Sequence, residues 1–229
     1  MKRRALNYAL VPLCAVLLAV GQVAQAGCDD RRYPGMDWSG CKKTNKMLDG
    51  SDFSGSRFDN ANLADSELDD SSFSGASLVK TDMTRVTATE SRFKNADLTK
   101  AVGYRANFDR AKLLDSTATK SEFARATFRN AVIENVDWSK SELGRVDFSD
   151  ARLKDVNFQF SNISRAIFSG ASLSDVDFKG AYTYLTHFEG LDLRQVRNLT
   201  QIQIDMSCGN LETRLPEGRW IPDTWPCVE

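Results

Sequence analysis

Lys80, Lys100, Lys120 and Lys140 recur every 20 residues, and Arg85, Arg105, Arg125, Arg145 and Arg165 do the same five residues further on. Cations fixed at regular intervals hold anions by charge and hydrogen bonding, and guanidinium groups do so bidentately. Catalysis has less to draw on. His187 is the single histidine, and no motif ties a nucleophile or an orienting carboxylate to it. It reads as a surface residue. Glycine-rich phosphate loops and HExxH are absent, and the acidic residues are spread too evenly for a carboxylate pair to stand out. Four cysteines besides Cys14 remain to be placed: Cys28, Cys41, Cys208 and Cys227. They allow three disulfide connectivities, free thiols or a metal site. No Cys-x-x-Cys spacing supports metal. The expectation is a chain that is not an enzyme, with no cofactor and no metal.

Net charge agrees with a contact protein of no extreme character. The full chain carries −1, and without its first 26 residues it holds 27 basic and 31 acidic groups. Neither a polybasic nucleic-acid binder nor a strongly acidic chain reads this way, so nucleic acid is not an expected partner.

The elements that must position the cations come from one stretch, Leu48 to Leu193. Here a large apolar residue returns every fifth position, and 26 of 30 such positions carry Leu, Phe, Ile, Met or Trp. The exceptions are Ala88, Gly103, Ala118 and Thr183. Two residues earlier runs a second track. From Ser51 to Thr186 all 28 of its positions are Ala, Ser, Thr or Val. A period of five fits neither a helix nor a strand, and a short period held this long marks a solenoid. One bulky and one small inward group per unit indicate a narrow interior.

Ser-Asp-Phe-Ser-Gly (51–55), Ala-Asn-Leu-Ala-Asp (61–65), Ala-Asp-Leu-Thr-Lys (96–100) and Val-Asp-Phe-Ser-Asp (146–150) resemble units of the pentapeptide-repeat family, whose pattern is A-(D/N)-L-x-x. The resemblance covers about two thirds of the chain. It implies an all-β fold, a right-handed quadrilateral β-helix with 20 residues in each square coil. About seven coils at β-sheet spacing of ~4.8 Å make a rod on the order of 35 Å long. In such a rod Phe108, Phe128, Phe148, Phe168 and Phe188 form one core column, and Leu113, Ile133, Leu153, Leu173 and Leu193 another. The Lys and Arg series become two cationic ladders on neighbouring corners of one face. Asp82, Glu122 and Glu142 lie between them. Asp115, Asp155 and Asp175, with Asn95 and Asn135, make an acidic-to-neutral column on the other side.

Taken in order, residues 1–26 read as a secretory signal: Lys2, Arg3 and Arg4, an apolar run from Ala9 to Val20, and Ala24-Gln25-Ala26 as a cleavage site. That places the protein outside the cytoplasm, periplasmic or secreted, with no transmembrane segment in the mature chain. Cys28 sits as in a lipoprotein box, but Gln25 stands where that box has Leu, so lipidation is disfavoured. Residues 27–47 read as an N-terminal cap, 48–195 as the β-helix and 196–229 as a C-terminal cap. Met36-Asp37-Trp38-Ser39-Gly40-Cys41 resembles the entry of secreted family members. On the implied rod, one cysteine pair lies at each end, which favours Cys28–Cys41 and Cys208–Cys227 in an oxidising compartment. Thr200-x-x-Gln203 fits a capping box opening a short helix. The segment from Cys208 to Gly218 resembles the closing segment of bacterial members.

Phe160, Tyr182, Tyr184 and Leu185 fall at outward positions. Such a cluster meets a partner or lies under another part of the chain, and the nearby tail is the expected cover. The functional expectation is a non-enzymatic extracytoplasmic binding or scaffold module, its ladders facing a protein or an anionic envelope component. The alternatives are a DNA-mimicking gyrase binder, as some family members are, and a purely structural rod that forms a homodimer.

Overall fold

The computed structural model describes residues 27–29 and 31–227. The signal reading of residues 1–26 lies outside the described residues. Of the rest, each pentapeptide lays down one short extended face and one two-residue corner. Four make a square turn that returns to the same side 20 residues later. Met36, Ser56, Ala76, Ala96, Ser116, Val136, Val156 and Val176 open successive coils of a right-handed quadrilateral β-helix.

All pairing between coils is parallel and in register. On one face it is regular enough to give four strands, β1 (Lys112–Leu114), β2 (Val132–Glu134), β3 (Arg152–Lys154) and β4 (Ser172–Ser174), ordered β1-β2-β3-β4. On the other faces a single bridged residue per coil does the same work, as in Glu122↔Glu142. The ladder alternates direction: Phe58 N–H donates to the following coil at Ser77 O, 2.7 Å, and Arg57 N–H to the preceding coil at Met36 O, 2.9 Å. Every interior coil thus bonds to both neighbours, which is how a chain with so little regular strand keeps its buried amides paired.

The frame residues fill the rod. Phe108, Phe128, Phe148, Phe168 and Phe188 stack at centroid spacings of 4.9, 5.5, 5.0 and 5.6 Å. Trp138, Phe158 and Phe178 form a second aromatic column at 5.7 Å spacings. Leu113, Ile133, Leu153, Leu173 and Leu193 are buried as well. Two exceptions in the frame have physical reasons. A Cβ at Gly103 would sit 2.2 Å from the Phe123 ring, so the ring of the next coil occupies that space. Thr183 is fully buried and its Oγ1 donates to Gln203 O, 2.8 Å.

Corners take left-handed backbone at the fifth position. Glycine does so at Gly55 and Gly75 (φ 67° and 68°), but Lys100 and Lys120 adopt the same conformation at φ 60° and 58°.

The coil starts earlier than the apolar frame suggests. Asp37 pairs with Arg57, Lys42 with Asn62 and Met47 with Glu67, and Met36, Trp38 and Cys41 are buried. Residues 36–47 therefore belong to the first coil, 36–55, and the cap outside it is only 27–35, which makes eight coils where seven were expected. Lys43 hid this, because it puts a cation in the apolar frame. Its stem snorkels and its ammonium lies 4.1 Å over the Trp38 ring. The Cys28–Cys41 disulfide ties the short cap to that coil.

At the far end α1 (Gln201–Asp205) begins at a complete capping box: Thr200 accepts from Gln203 N–H, and the Gln203 side chain accepts from Thr200 N–H. Gln203 Nε2 donates to Phe178 O and Ala181 O at 2.7 and 2.9 Å, which docks the helix across the last coil. Beyond it Cys208 pairs with His187 and Arg214 with Asp192, and Cys208–Cys227 closes the end. Among the described residues no helix is long and apolar enough to cross a membrane.

Candidate functional site

The fifth residue of each pentapeptide points out at a corner, so residues 20 apart form a column along one edge of the rod. Lys80, Lys100, Lys120 and Lys140 occupy one edge, and Arg85, Arg105, Arg125, Arg145 and Arg165 the next. All nine are exposed. The face between these rails is the bridged column Asn62, Asp82, Val102, Glu122, Glu142, Asn162 and Tyr182.

Glu122 and Glu142 do lie between the rails, yet among the described residues neither forms an ion pair with a rail cation. Glu142 instead accepts from Asn162 Nδ2, 2.9 Å. Arg85 is the only rail residue in an ion pair among the described residues. It binds Asp65, one coil earlier on its own edge, bidentately at 2.6 and 2.7 Å. Those hydrogen bonds hold the Asp65 carboxyl below the usual carboxylate range. Two other rail arginines lie over aromatic rings, Arg105 over Tyr104 at 5.3 Å and Arg165 over Tyr184 at 6.0 Å.

At its C-terminal end this railed face turns aromatic. Phe160 continues the lysine edge at 56% exposure and lies over Gly180, where a Cβ would approach its ring to 2.8 Å. Tyr182 and Tyr184 are 49% and 44% exposed and stack on each other at 6.2 Å. Leu185 is half-buried, its N–H donating to Met206 O at 2.7 Å. Among the described residues the tail meets this cluster at Leu185 and does not give Tyr182 or Tyr184 the expected cover. The tail crosses the end of the rod as α1 and then runs beside His187 and Asp192, so the face with Tyr182 stays open.

On the side away from the arginine edge, Asp115, Asn135, Asp155 and Asp175 form the acidic-to-neutral column. It borders an open cleft of about 340 Å³ that Asp137 and Asn157 also line. Asn135 donates to Asp115 at 2.9 Å and Asn157 to Asp137 at 3.0 Å, so these carboxylates are knit together coil to coil. The rod is thus polarised across its width.

His187 lies half-buried with Nδ1 3.0 Å from Glu189 Oε1. The Cys208 sulfur is close to both, within 4.8 Å, but is bonded to Cys227 and is not a free thiolate.

A feature that sequence reasoning missed stands at the N-terminal end. Arg31, Arg32, Lys43 and Lys46 line an open cavity of about 430 Å³ with Trp38, Met47 and Leu48. The signal was present as five cations, with Lys42, between residues 31 and 46. Reading 27–47 only as a cover concealed it.

The family model for pentapeptide repeats matches residues 48–85, 66–102, 81–113, 121–159, 141–180 and 151–190. Among solved structures, a trypsin-treated form of QnrB1, a plasmid-mediated fluoroquinolone resistance protein, matches with a TM-score of 0.70 at 20% identity, covering 81% of this chain and 92% of that chain. A second trypsin-treated form gives 0.57 at 19% identity, covering 77% and 92%. HetL, a pentapeptide repeat protein involved in heterocyst differentiation regulation in Nostoc, gives 0.35 at 18% identity, covering 86% and 93%. No curated protein matches the sequence.

Proposed function

This chain belongs to the pentapeptide-repeat family, and on that premise we propose that it is a non-enzymatic binding and scaffold module working outside the cytoplasm. The contact surface in this reading is the railed face, its exposed cations meeting an anionic protein or cell-envelope component. The stacked Tyr182 and Tyr184, with Phe160, supply its apolar anchor. One observation carries the reading: exposed aromatic residues sit at the end of two cationic edges and no other part of the described chain covers them. A surface of that kind on a soluble chain marks a contact site, and aromatic and Arg residues are the usual anchors of such sites. Export is supported by the basic and apolar start of the sequence and by two disulfides, which persist in oxidising compartments.

The test is photo-crosslinking in the native host with the reactive residue at Lys120 or at Tyr184. A specific adduct at Lys120 assigns the rails, and one only at Tyr184 moves contact to the aromatic end. No adduct at either position rejects the surface. The aromatic end also supports a homodimer through Tyr182, Tyr184 and Leu185. Sedimentation at several concentrations reads this directly, and a monomer throughout rejects it. A DNA-mimicking gyrase binder fits less well. The fold likeness to a fluoroquinolone resistance protein is at 20% identity, and a mimic of DNA needs anionic charge all round its length, whereas two edges of this rod carry cations. A supercoiling assay insensitive to the protein removes that alternative.

A further inference from the structure

In the later coils the central N–H of a face donates to the coil before it: Arg57 to Met36 O, Asn62 to Cys41 O, Glu67 to Lys46 O. Among the described residues no coil precedes the first. The amides of Lys42 and Met47, which occupy the equivalent positions, are therefore directed out of the N-terminal end of the rod, and of these two residues Met47 lines the cavity there. Outward backbone donors set beside cations are the ingredients of an oxyanion site. The cations are present. Arg31, Arg32, Lys43 and Lys46 surround the 430 Å³ cavity, and among the described residues no acidic residue lines it and none of the four is in an ion pair.

Two of these cations are held in place. Arg32 Nη1 donates to Met47 O and Ser51 Oγ, both at 3.3 Å, so it caps an open carbonyl of the first coil. Lys43 lies over Trp38 and donates to Cys28 O. Cys28 is itself bonded to Cys41 of the first coil. The staple thus folds a short cap back over the open edge and delivers Arg31 and Arg32 to the same side as Lys43 and Lys46.

We infer that this N-terminal mouth is a binding site for a phosphate group, built by the Cys28–Cys41 disulfide and separate from the railed face. Converging cations with a guanidinium fork favour a compact, multiply charged oxyanion over a single carboxylate. The mouth is open, so the phosphate can be that of a soluble compound or of a lipid headgroup.

Calorimetric titration with pyrophosphate reads the first source. Co-sedimentation with phosphatidylglycerol vesicles, against phosphatidylcholine vesicles, reads the second. Binding of either probe that falls about tenfold or more in the Arg31→Glu/Lys46→Glu variant supports the site. Lys120→Glu/Lys140→Glu changes the same number of charges on the rails and leaves binding within about twofold if the mouth is the site. An equal loss in both variants, or no binding of either probe by the unaltered protein, overturns the proposal. Cys28→Ser/Cys41→Ser loses binding while far-ultraviolet circular dichroism shows the β-helix intact. Undiminished binding by that variant refutes the role of the staple.

Discussion

Replacing Lys80, Lys100, Lys120 and Lys140 together with glycine leaves the protein at least as stable as before. Each lysine holds left-handed backbone, with φ of 59°, 60°, 58° and 61°. An L-residue in that region costs roughly 1–2 kcal/mol. Glycine relieves this but has more freedom to lose on folding, roughly 0.5–1 kcal/mol. The balance favours glycine by about 0–1.5 kcal/mol at each site. Neighbouring ammonium groups at coil spacing add at most about 0.8 kcal/mol of repulsion per pair in water, less in salt. The lysines are exposed, so little packing is lost with them. The summed expectation is a gain of roughly 0–6 kcal/mol over the four sites. Urea unfolding measures it as a midpoint that holds or rises with the slope unchanged. A fall of more than about 1 kcal/mol refutes the reasoning, because the fold would then need the lysines and their regular spacing would carry no argument for binding.

Three further outcomes follow from the core, the corners and the ionised groups. Trp138 stacks on Phe158, and its indole N–H is buried with no acceptor among the described residues, so Trp138→Phe shifts stability by no more than about 1.5 kcal/mol. Phe158→Ala in the same column costs about 3–5 kcal/mol, and thermal melts compare the two. Extending the lysine edge by Gly180→Lys destabilises by roughly 1–3 kcal/mol in urea unfolding, since the position is left-handed and its Cβ meets the Phe160 ring. Burial pushes the Asp109 and Asp177 carboxyls up, but hydrogen bonds outweigh it, chiefly from Arg129 to Asp109 and from Asn198 to Asp177, so both lie below 3.8. Bonds from Arg194 hold Asp192 at about 2. Depressed folded values mean that the unfolded chain takes up these protons first, so their stabilisation is complete above about pH 4 and is lost as pH falls toward 2. In acid titrations Asp109→Asn and Asp177→Asn flatten that fall; an unchanged slope in both refutes it.

Most of the fold was legible because each pentapeptide repeats the same local demand. A bulky residue such as Phe128 and a small one such as Ala126 point inward in every unit, so the frame could be counted off the chain. What could not be read depends on contacts between units. Gly103 looks like a gap until the Phe123 ring is seen to fill it. Thr183 looks like a defect until Gln203 O receives its hydroxyl. Lys43 looked like the end of the apolar frame because a snorkelling stem has no signature in a residue type. The rails were visible as a spacing of 20, but the bidentate hold of Asp65 on Arg85 depends on side-chain geometry between coils. The open state of Tyr182 and Tyr184 turns on the path of the tail across the rod end. The N-terminal mouth had its cations in view, while the outward amides that complete it follow only from where the first coil begins.

The nearest-neighbour ladder has a mechanical consequence. Each coil is bonded only to the one before and the one after. A pull on the two termini therefore opens the rod as a zipper opens, one turn at a time, with no plane along which many bonds resist together. Each released turn of 20 residues yields roughly 66–72 Å of contour. The two disulfides decide where the load enters. Tension on the N-terminal side passes from Cys28 directly to Cys41 in the first coil, and on the other side from Cys227 to Cys208, 19 residues back beside His187. The N-terminal cap is bypassed and the force falls on the first coil, whereas at the other end it reaches the last coil through the segment with α1 that precedes Cys208. Such a rod gives way under load in equal steps, and is extensible along its axis rather than brittle.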